Sequence, residues 1–403
     1  MPRNRKLLPI FLIVLIDVLG LTIILPLLPF YAEKFGASPL VVGLLVSSYA
    51  ICQLVSGPVL GQWSDHIGRK PLLILSQCGT FCGFLVLAFA GSLWMIFLAR
   101  VIDGLTAGNL SLAQAYMSDV TEPKDRARAF GKIGVAFGIG FFLGPALTAF
   151  LYRYGYFAPI LAAASLSLLS ILATVTLLPG GPGPAHHKAG EAALFKWSNY
   201  ARFFTRPELL SLLVQSLLFF FSFAAYVSGF ALFAERRFTW HGVAFGPKQV
   251  GYLFAYFGLL GIIIQGFLIG RLVKRLGERQ LAKLGFACCV LGYAVLSFIS
   301  DPWWILFTGL LTSFGNGVIR PVLISEISGN VDSTEQGVVL GLNQSMNSIA
   351  QVSAPILATY LIGREWLTDW ALLPASLCAV ALALILYHSG ARRAASGAAK
   401  PSL

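Results

Sequence analysis

The chain is a series of long apolar runs separated by short polar or basic breaks. The runs are about 18 to 25 residues long, which is the length of helix needed to cross a hydrocarbon layer about 30 Å thick. The pattern therefore predicts an all-α membrane protein with twelve transmembrane helices. The predicted spans lie near residues 8–30, 40–60, 72–91, 93–118, 131–152, 157–178, 208–233, 250–269, 282–300, 303–326, 338–362 and 370–388.

Composition supports this interpretation and excludes a soluble enzyme. Hydrophobic residues make up 57% of the chain and charged residues only 11%, whereas soluble domains carry about a quarter charged residues. The sequence contains no G-x-x-x-x-G-K-[ST] phosphate loop, so we expect no ATP-driven step and no cofactor. The six cysteines lie inside apolar runs without zinc spacing. We therefore interpret them as small apolar side chains and expect no metal site.

The distribution of Lys and Arg predicts the orientation of the chain. If the N-terminus lies inside, the inner segments hold 21 of the 29 basic residues and the outer loops hold six, while Arg100 and Arg320 lie within spans. Basic loops are retained on the cytoplasmic side. We therefore expect both termini in the cytoplasm and location in a bacterial inner membrane. The net charge of +12 is then explained by the orientation of the chain in the membrane, and no nucleic-acid partner is expected.

One long polar interruption divides the runs into two groups of six. It opens with GGPGPAHHKAGEAA, a composition typical of a flexible linker. Gly57, Gly61 and Gly68 recur 209 positions later, which indicates an internal repeat. We predict a monomer with two pseudo-symmetric six-helix bundles. The predicted parts are an N-terminal bundle over 1–178, a cytoplasmic linker over 179–207, a C-terminal bundle over 208–388 and a cytoplasmic tail over 389–403.

The loop after the second run reads GQWSDHIGRKP and resembles the signature loop of the major facilitator superfamily. The resemblance implies a cytoplasmic latch in which Asp65 faces a helix N-terminus in the other bundle. It also implies that Arg69 pairs with an acid at the inner end of span 4, here Asp119. The alternative is a short basic loop that serves only topology. The expected latch consists of Gly61, Asp65, Gly68, Arg69 and Asp119.

Span 4 and the loop after it read ARVIDGLTAGNLSLAQAYMSDVTEPKDRARAFG and resemble the drug:proton antiporter branch of that superfamily, the tetracycline exporters in particular. Arg100 stands at that branch's span-4 arginine position. A spacing of three and four residues predicts that the polar and small side chains of this span share one helix face, which should line the interior. That stripe is Arg100, Asp103, Ala107, Ser111, Gln114 and Ser118.

Span 1 resembles the first span of the tetracycline exporters in the placement of Asp17 before a glycine. An unpaired aspartate near mid-depth costs at least about 2.5 kcal/mol, so such residues normally face a cavity and serve ions, protons or substrates. We take Asp17, Asp103 and Arg100 as the proton-coupling candidates. The alternative is structural, since Asp103 lies one turn from Arg100 and can simply neutralise it. Tetracycline exporters carry an acid in span 3 where this chain has Gly83, so tetracycline itself is not the expected substrate.

Span 5 is rich in glycine and ends in a Gly-Pro step. Glycines four residues apart allow close approach between helices, and the Gly-Pro step resembles the antiporter motif of exporters. The alternative is an ordinary packing helix with a proline kink. The expected helix-packing motif is Gly134, Gly138, Gly140, Gly144 and Pro145.

Several uncharged polar residues lie within the other spans. Apolar cavities with a few amides suit small amphipathic organic molecules, although such residues also join helices by hydrogen bonds. The candidate substrate-binding residues are Gln114, Gln215, Tyr226, Asn316, Asn343, Asn347 and Gln351.

Together these features predict a secondary transporter that exports a small amphipathic compound in exchange for protons within the lipid bilayer. The protein is not expected to be an enzyme. Solute uptake by proton symport would use the same acids and is the first alternative. The second is a non-transporting membrane sensor or partner protein that keeps the fold.

Overall fold

A computed structural model describes residues 7–121, 126–178, 203–332 and 335–398. Almost all of this part of the chain is α-helical. The first half contains α1 (Leu7–Ile24), α2 (Leu28–Lys34), α3 (Pro39–Ile67), α4 (Arg69–Ala88), α5 (Leu93–Leu105), α6 (Asn109–Val120), α7 (Arg126–Leu151) and α8 (Phe157–Leu177).

The second half follows the predicted linker, which lies largely outside the described residues. Its helices are α9 (Pro207–Arg237), α10 (Pro247–Ile263), α11 (Ile269–Leu276), α12 (Glu278–Phe298), α13 (Trp304–Gly329), α14 (Gln336–Gly363) and α15 (Leu367–Ala398). A π-helical segment, Ile264–Leu268, joins α10 to α11. Because α10 and α11 follow one another through this segment, they form a single span.

A short hairpin connects α9 to α10. Its strands are β1 (Thr239–Trp240) and β2 (Val243–Ala244), which pair antiparallel with Trp240 opposite Val243. The two turn residues, His241 and Gly242, both have positive φ, at 52° and 79°. A two-residue hairpin turn with positive φ at both positions matches the right-handed twist of the flanking strands.

The helices are long and apolar enough for a polytopic membrane protein. Within the described residues nine helical stretches meet the length and hydropathy of a membrane span, if α5 with α6 and α10 with α11 each count as one, and α1 with α2 makes a tenth as a bent pair. The remaining two of the twelve expected spans correspond to α13 and α14, which are 26 and 28 residues long. Their hydropathy is lower because Asn316 and Arg320 lie on α13 and five amide side chains lie on α14.

The first span is bent rather than continuous. Helices α1 and α2 meet at an angle of 41° across residues 25–27. Pro26 lies in this break, and Pro29 occupies the first turn of α2. Proline has no backbone N–H and fixes φ, so it interrupts a helix interior but fits a first turn. The pair of prolines therefore explains the bend.

The predicted span 4, near 93–118, is confirmed as one candidate membrane span over Leu93–Met117, but its helix is interrupted. Helix α5 ends at Leu105, and α6 begins at Asn109. In the break, the Ser76 hydroxyl of α4 donates to the Thr106 carbonyl oxygen, and the Gly108 N–H donates to Ser76 Oγ at 3.0 Å. A neighbouring helix thus satisfies backbone groups that a continuous helix would satisfy itself, as membrane burial requires. The expected stripe is therefore divided between two helices.

The chain divides into two compact units. The first comprises Met1–Gly190 and Gly229–Ile262, and the second comprises Glu191–Ser228 and Ile263–Leu403. The first unit thus contains the end of α9 and nearly all of α10 in addition to the N-terminal helices. The domain boundaries predicted from the linker composition stay a prediction.

Candidate functional site

Asp17 lies in α1 among neutral polar groups of the first unit. Its carboxyl group has the Ser170 hydroxyl of α8 and the Gln77 amide of α4 as hydrogen-bond partners. The Gln77 Nε2 atom also donates to Ser170 Oγ at 2.7 Å. Asp17 is half-buried and has no ion-pair partner within the described ranges. The carboxyl group can therefore change its charge without breaking an ion pair.

Asp103 and Arg100 form a buried ion pair on α5. Arg100 Nη1 donates to Asp103 Oδ2 at 3.0 Å, and the two residues are only 6% and 4% exposed. The Arg100 guanidinium also lies over the Tyr49 ring of α3, 4.3 Å from its centroid. Such a contact stabilises a desolvated cation. Thr80 of α4 is a further hydrogen-bond partner of Asp103.

The two acids belong to one electrostatic cluster. Asp17 and Asp103 interact through their charges, although they lie on different helices. One of them is neutralised by a cation and the other is held only by neutral donors. The two acids therefore differ in the charge of their partners.

Sequence reasoning did not identify the partners of these acids. Gln77, Thr80 and Ser170 are polar residues within apolar runs. Only Gln77 gave a sequence signal, because an amide side chain is rare in such a run. Tyr49 carried no signal, because an aromatic residue in a span is more often lipid-facing or core. Which helices supply partners depends on packing that the pattern of a single chain does not reveal.

The residues of the expected latch are arranged around Arg69. Gly68 has a φ of 103°, which ends α3 and begins α4 with a sharp turn. Arg69 Nε donates to Asp119 Oδ2 at 3.0 Å, and Arg69 Nη2 lies 2.7 Å from Asp65 Oδ1. Both acids are half-exposed or more, which allows the pairs to exchange with water. Contact of Asp65 with the other bundle stays a prediction, and so does the latch role of this group, including Gly61.

The second half repeats this turn with other charges. Gly277 has a φ of 76° between α11 and α12, and Glu278 takes the place of Arg69 as the first residue of the next helix. Its carboxylate accepts a hydrogen bond from the Ser325 hydroxyl of α13 at 2.7 Å. The glycine turn with positive φ is thus repeated in the second half, whereas the ion pairs of Arg69 are not.

Three of the four glycines in the span-5 motif lie at close helix contacts. A Cβ at Gly140 would overlap Val18, and one at Gly144 would overlap Thr22, both on α1. Thr22 Oγ1 donates to the Gly140 carbonyl oxygen at 2.9 Å. Gly138 faces Ile262 on α10 at 3.1 Å. Gly134 faces open space, so packing does not require it.

A side-chain hydrogen bond also joins the span-5 helix to α1. Thr148 lies one turn after Gly144 on α7 and donates to the Ile23 carbonyl oxygen at the end of α1 at 2.6 Å. Pro145 lies within α7 and is buried. The α1–α7 contact thus combines close backbone approach with side-chain hydrogen bonds.

The candidate substrate-binding residues of the second half do not form one group. Tyr226 and Asn316 do belong to a common cluster, in which the Tyr226 ring lies 4.9 Å from that of Tyr293. Asn316 Nδ2 donates to the Tyr293 hydroxyl at 3.1 Å. Gln215 is buried elsewhere on α9 and donates to Ser211 Oγ at 3.0 Å.

The other candidates lie on α6 and α14. Gln114, Asn347 and Gln351 are half-buried, and Asn343 is buried. The Oδ1 atom of Asn343 and the Oε1 atom of Gln215 have no hydrogen-bond partner among the described residues. A buried amide oxygen without a partner costs about 1 to 3 kcal/mol. Both atoms are therefore available to a donor from a bound molecule.

Comparison with known proteins identifies the architecture. The family model described as Major Facilitator Superfamily matches residues 10–355 and 243–402. The chain is 31% identical over 350 residues to the class B tetracycline resistance protein of Escherichia coli, covering 86% of this chain and 85% of that protein. It is 27% identical to multidrug resistance protein 2 of Bacillus subtilis (strain 168), covering 87% and 88%.

A solved structure shares the fold. The crystal structure of the human organic anion transporter MFSD10 (TETRAN) superposes with a TM-score of 0.69 at 24% sequence identity. The match covers 96% of this chain and 100% of that one.

Proposed function

Because the chain belongs to the major facilitator superfamily, we propose that it exports a small amphipathic compound in exchange for protons. Membership of that family makes it a multi-pass membrane transport protein rather than an enzyme. Its similarity over most of its length to tetracycline and multidrug resistance proteins supports export as the direction. Gly83 in span 3 favours a substrate other than tetracycline.

The observation that carries the proposal is the unequal pairing of the two intramembrane acids. Asp103 is bound to Arg100 at 3.0 Å, whereas Asp17 is held by Ser170 and Gln77, which are both neutral. Protonation of Asp103 would leave the buried Arg100 cation unpaired, which costs several kcal/mol. Asp17 is therefore the group that exchanges the proton, and the Arg100–Asp103 pair positions and tunes it.

The cycle follows from competition at Asp17. A proton entering from outside neutralises the carboxylate and weakens its hold on the substrate, and release of the proton inside restores it. A ligand shifts a two-state equilibrium only through its different affinities for the two states, which the shared acid supplies. One charge crossing 100 mV is worth about 2.3 kcal/mol, or roughly a fifty-fold concentration ratio. That energy is sufficient for export.

The proposal also covers the partners, the oligomeric state and the membrane location of the protein. The substrate molecule and the bilayer follow from membership of the transporter family, while protons, a monomeric state and cytoplasmic termini are part of the proposal. The excess of Lys and Arg in the inner segments supports this orientation. A bacterial inner membrane is supported by the similarity to the Escherichia coli protein.

The test begins with a compound screen in a bacterial host that lacks its own exporters. Inverted vesicles that contain the protein are then energised, and proton release is measured when the compound found in the screen is added. Asp17→Asn should abolish proton-driven transport while Asp17→Glu keeps part of it, because only the glutamate can still bind and release a proton. Asp332→Asn, which changes an exposed acid between α13 and α14, is the matched control.

Full proton-driven transport by Asp17→Asn would refute the assignment. Accumulation of the compound in the opposite direction would instead favour proton symport, which leaves the role of Asp17 intact. Ligand binding without any gradient-dependent flux would indicate a non-transporting protein.

A further inference from the structure

An arginine lies within a span of the second unit without a counter-charge. Arg320 is on α13, nine residues before that helix ends at Gly329, which places it about 14 Å from the helix end. The residue is exposed, and it has no ion pair and no hydrogen bond within the described ranges. An unpaired cation inside a span is costly, so residues of this kind normally serve ions or substrates.

The helical spacing places Arg320 between two neighbouring helices. At about 100° per residue, it lies about 40° from Asn316 and about 60° from Gly317, in the sector between them. The Asn316 amide donates to the Tyr293 hydroxyl at 3.1 Å, so that side of α13 faces α12. A Cβ at Gly317 would lie 3.0 Å from Ile264, so the other side faces the π-helical segment.

The exposed apolar side of α13 is a different one. Phe307 and Leu310 are each 44% exposed. The same spacing places Leu310 about 20° and Phe307 about 80° beyond Gly317, on the side away from Arg320. A cation that extends along the lipid to the headgroups would be expected on that apolar side. The contact of α13 with the π-helical segment therefore separates Arg320 from the lipid-facing residues.

An amide side chain of the π-helical segment lies close to this turn of α13. Gln265 Cγ is 3.9 Å from the position of a Cβ at Gly317, which is three residues from Arg320. Gln265 is exposed and has no hydrogen-bond partner in the part of the chain that the structure describes. π-helical turns are rare and occur frequently at functional sites. An unpaired cation and an unpaired amide are thus both accessible where α13 packs on this segment.

The charge of these two groups selects a ligand with a single negative charge. A guanidinium group donates two parallel hydrogen bonds to a carboxylate, and an amide N–H can donate a further one. A doubly charged phosphate would keep one negative charge without a partner, which is unfavourable within a span. The apolar side chains of the surrounding helices suit a ligand whose remaining part is apolar.

We propose that Arg320 and Gln265 bind the carboxylate group of an amphipathic organic acid, and that this acid is the transported compound. The inference rests on the proposed function and defines its substrate class. The acidic group is additional to the group of the compound that binds Asp17. Gly317 supports the site, because a side chain there would require the π-helical segment to move. The headgroup of phosphatidylglycerol carries the same single negative charge, so the test includes this lipid.

The test measures binding to the purified full-length protein in detergent, without a proton gradient. The probes are phenylbutyrate and naphthaleneacetate, and each is compared with its uncharged primary amide by isothermal titration calorimetry. The amide keeps the shape of the acid and lacks only its charge. At least one acid should bind about tenfold or more tightly than its amide, because hydrogen bonds to charged groups are the stronger ones.

Variants of the two residues decide whether they form the site. Arg320→Gln should remove the preference for the acid and leave binding of the amide unchanged, whereas Arg320→Lys should keep part of it, because lysine retains the charge without the planar pair of donors. Gln265→Leu should weaken acid binding by about threefold to tenfold. Arg275→Gln is the matched control, since it removes one positive charge from an exposed position of α11 and should bind like the parent. If Arg320→Gln does not fold, Arg320→Lys and Gln265→Leu still decide the outcome.

Three results would overturn the proposal. These are acids that bind no more tightly than their amides, an unchanged preference in Arg320→Gln, and displacement of the acid by phosphatidylglycerol but not by phosphatidylcholine. The last result would assign the anion site to a lipid headgroup instead.

The measurement also separates this proposal from the proposed transport cycle. Asp17→Asn should keep the preference for the acid, since binding in detergent needs no proton exchange. Loss of proton-driven transport with acid binding intact would count against the cycle alone. Proton-driven transport by a protein that shows no preference for the acid would count against the anion site alone.

Discussion

Gly83 of α4 packs directly against Asp103 of α5. A Cβ at Gly83 would lie 3.1 Å from Asp103 Cβ and 3.1 Å from the Ala99 carbonyl oxygen. A side chain at position 83 would therefore require its neighbours on α5 to shift by a few tenths of an ångström or more. The glycine of span 3 allows α4 to approach closely the helix that carries the buried ion pair.

Gly83→Ala should displace α5 and impair transport. Contacts this short require the neighbour to move by a few tenths of an ångström, and overpacking of this kind costs about 1 to 3 kcal/mol. We expect a lower unfolding temperature together with reduced proton-driven flux. Gly57→Ala is the control, because Gly57 lies within α3 and faces open space. Equal effects of both substitutions would contradict the packing argument.

Gly258→Ala should lower the stability of the first unit. A Cβ at this position of α10 would overlap the Phe141 carbonyl group on α7, and a backbone group cannot rotate away as a side chain can. We expect a loss of about 1 to 3 kcal/mol or more in stability, measured by thermal unfolding in detergent. Gly261→Ala, on the same helix with no neighbour within 4 Å, should be neutral or slightly stabilising.

Exchange of the charges at Arg69 and Asp119 tests their direct interaction. Either single change to the opposite charge should reduce transport, and Arg69→Asp with Asp119→Arg should restore part of it. The contribution to stability should stay below about 1 kcal/mol, because the side chains are 24% and 42% exposed. Flux and thermal unfolding are measured on the same preparations. A double variant no better than the worse single one would argue against the pair.

Arg236→Met should make stability depend on pH in a new way. Arg236 lies 2.6 Å from Glu33 Oε1 and 3.0 Å from Glu235 Oε2, and the two carboxyl groups are themselves within hydrogen-bonding reach. Without the cation, two like charges remain side by side and repel each other. The loss in unfolding temperature should therefore be larger at about pH 8 than at about pH 5, where carboxyl groups are more often protonated.

Lys248→Met is the control for this prediction, since Lys248 is exposed at the start of α10. It should leave the pH dependence unchanged. A loss in Arg236→Met that is the same at both pH values would show that the arginine acts through packing alone.

The spans were predictable from sequence because membrane burial fixes their length and composition. The breaks within individual spans were harder to predict. The prolines at 26 and 29 gave a readable signal for the bend in span 1, but the sequence Thr106-Ala107-Gly108 was not recognised as a break, and Ala107 was placed in the stripe of span 4. In the structure these residues separate α5 from α6, since Ser76 of another helix satisfies the exposed backbone groups. A hydrogen-bond partner on another helix leaves no pattern in the local sequence.

The chemistry of the site was predictable only in part, for the same reason. Asp17, Arg100 and Asp103 are conspicuous as charges in apolar runs. That Asp103 pairs with Arg100 followed from a spacing of three residues, whereas the contact of Asp17 with Ser170 joins α1 to α8.

The division of span 4 has a consequence for how such proteins diversify. The ion pair sits on the upstream segment, while Gln114 sits on the downstream one. Since the helix is interrupted between them, a substitution on one segment need not disturb the helical hydrogen bonds of the other. Under the proposed function, cargo preference can thus drift over generations through changes near Gln114 while the ion pair keeps its alignment.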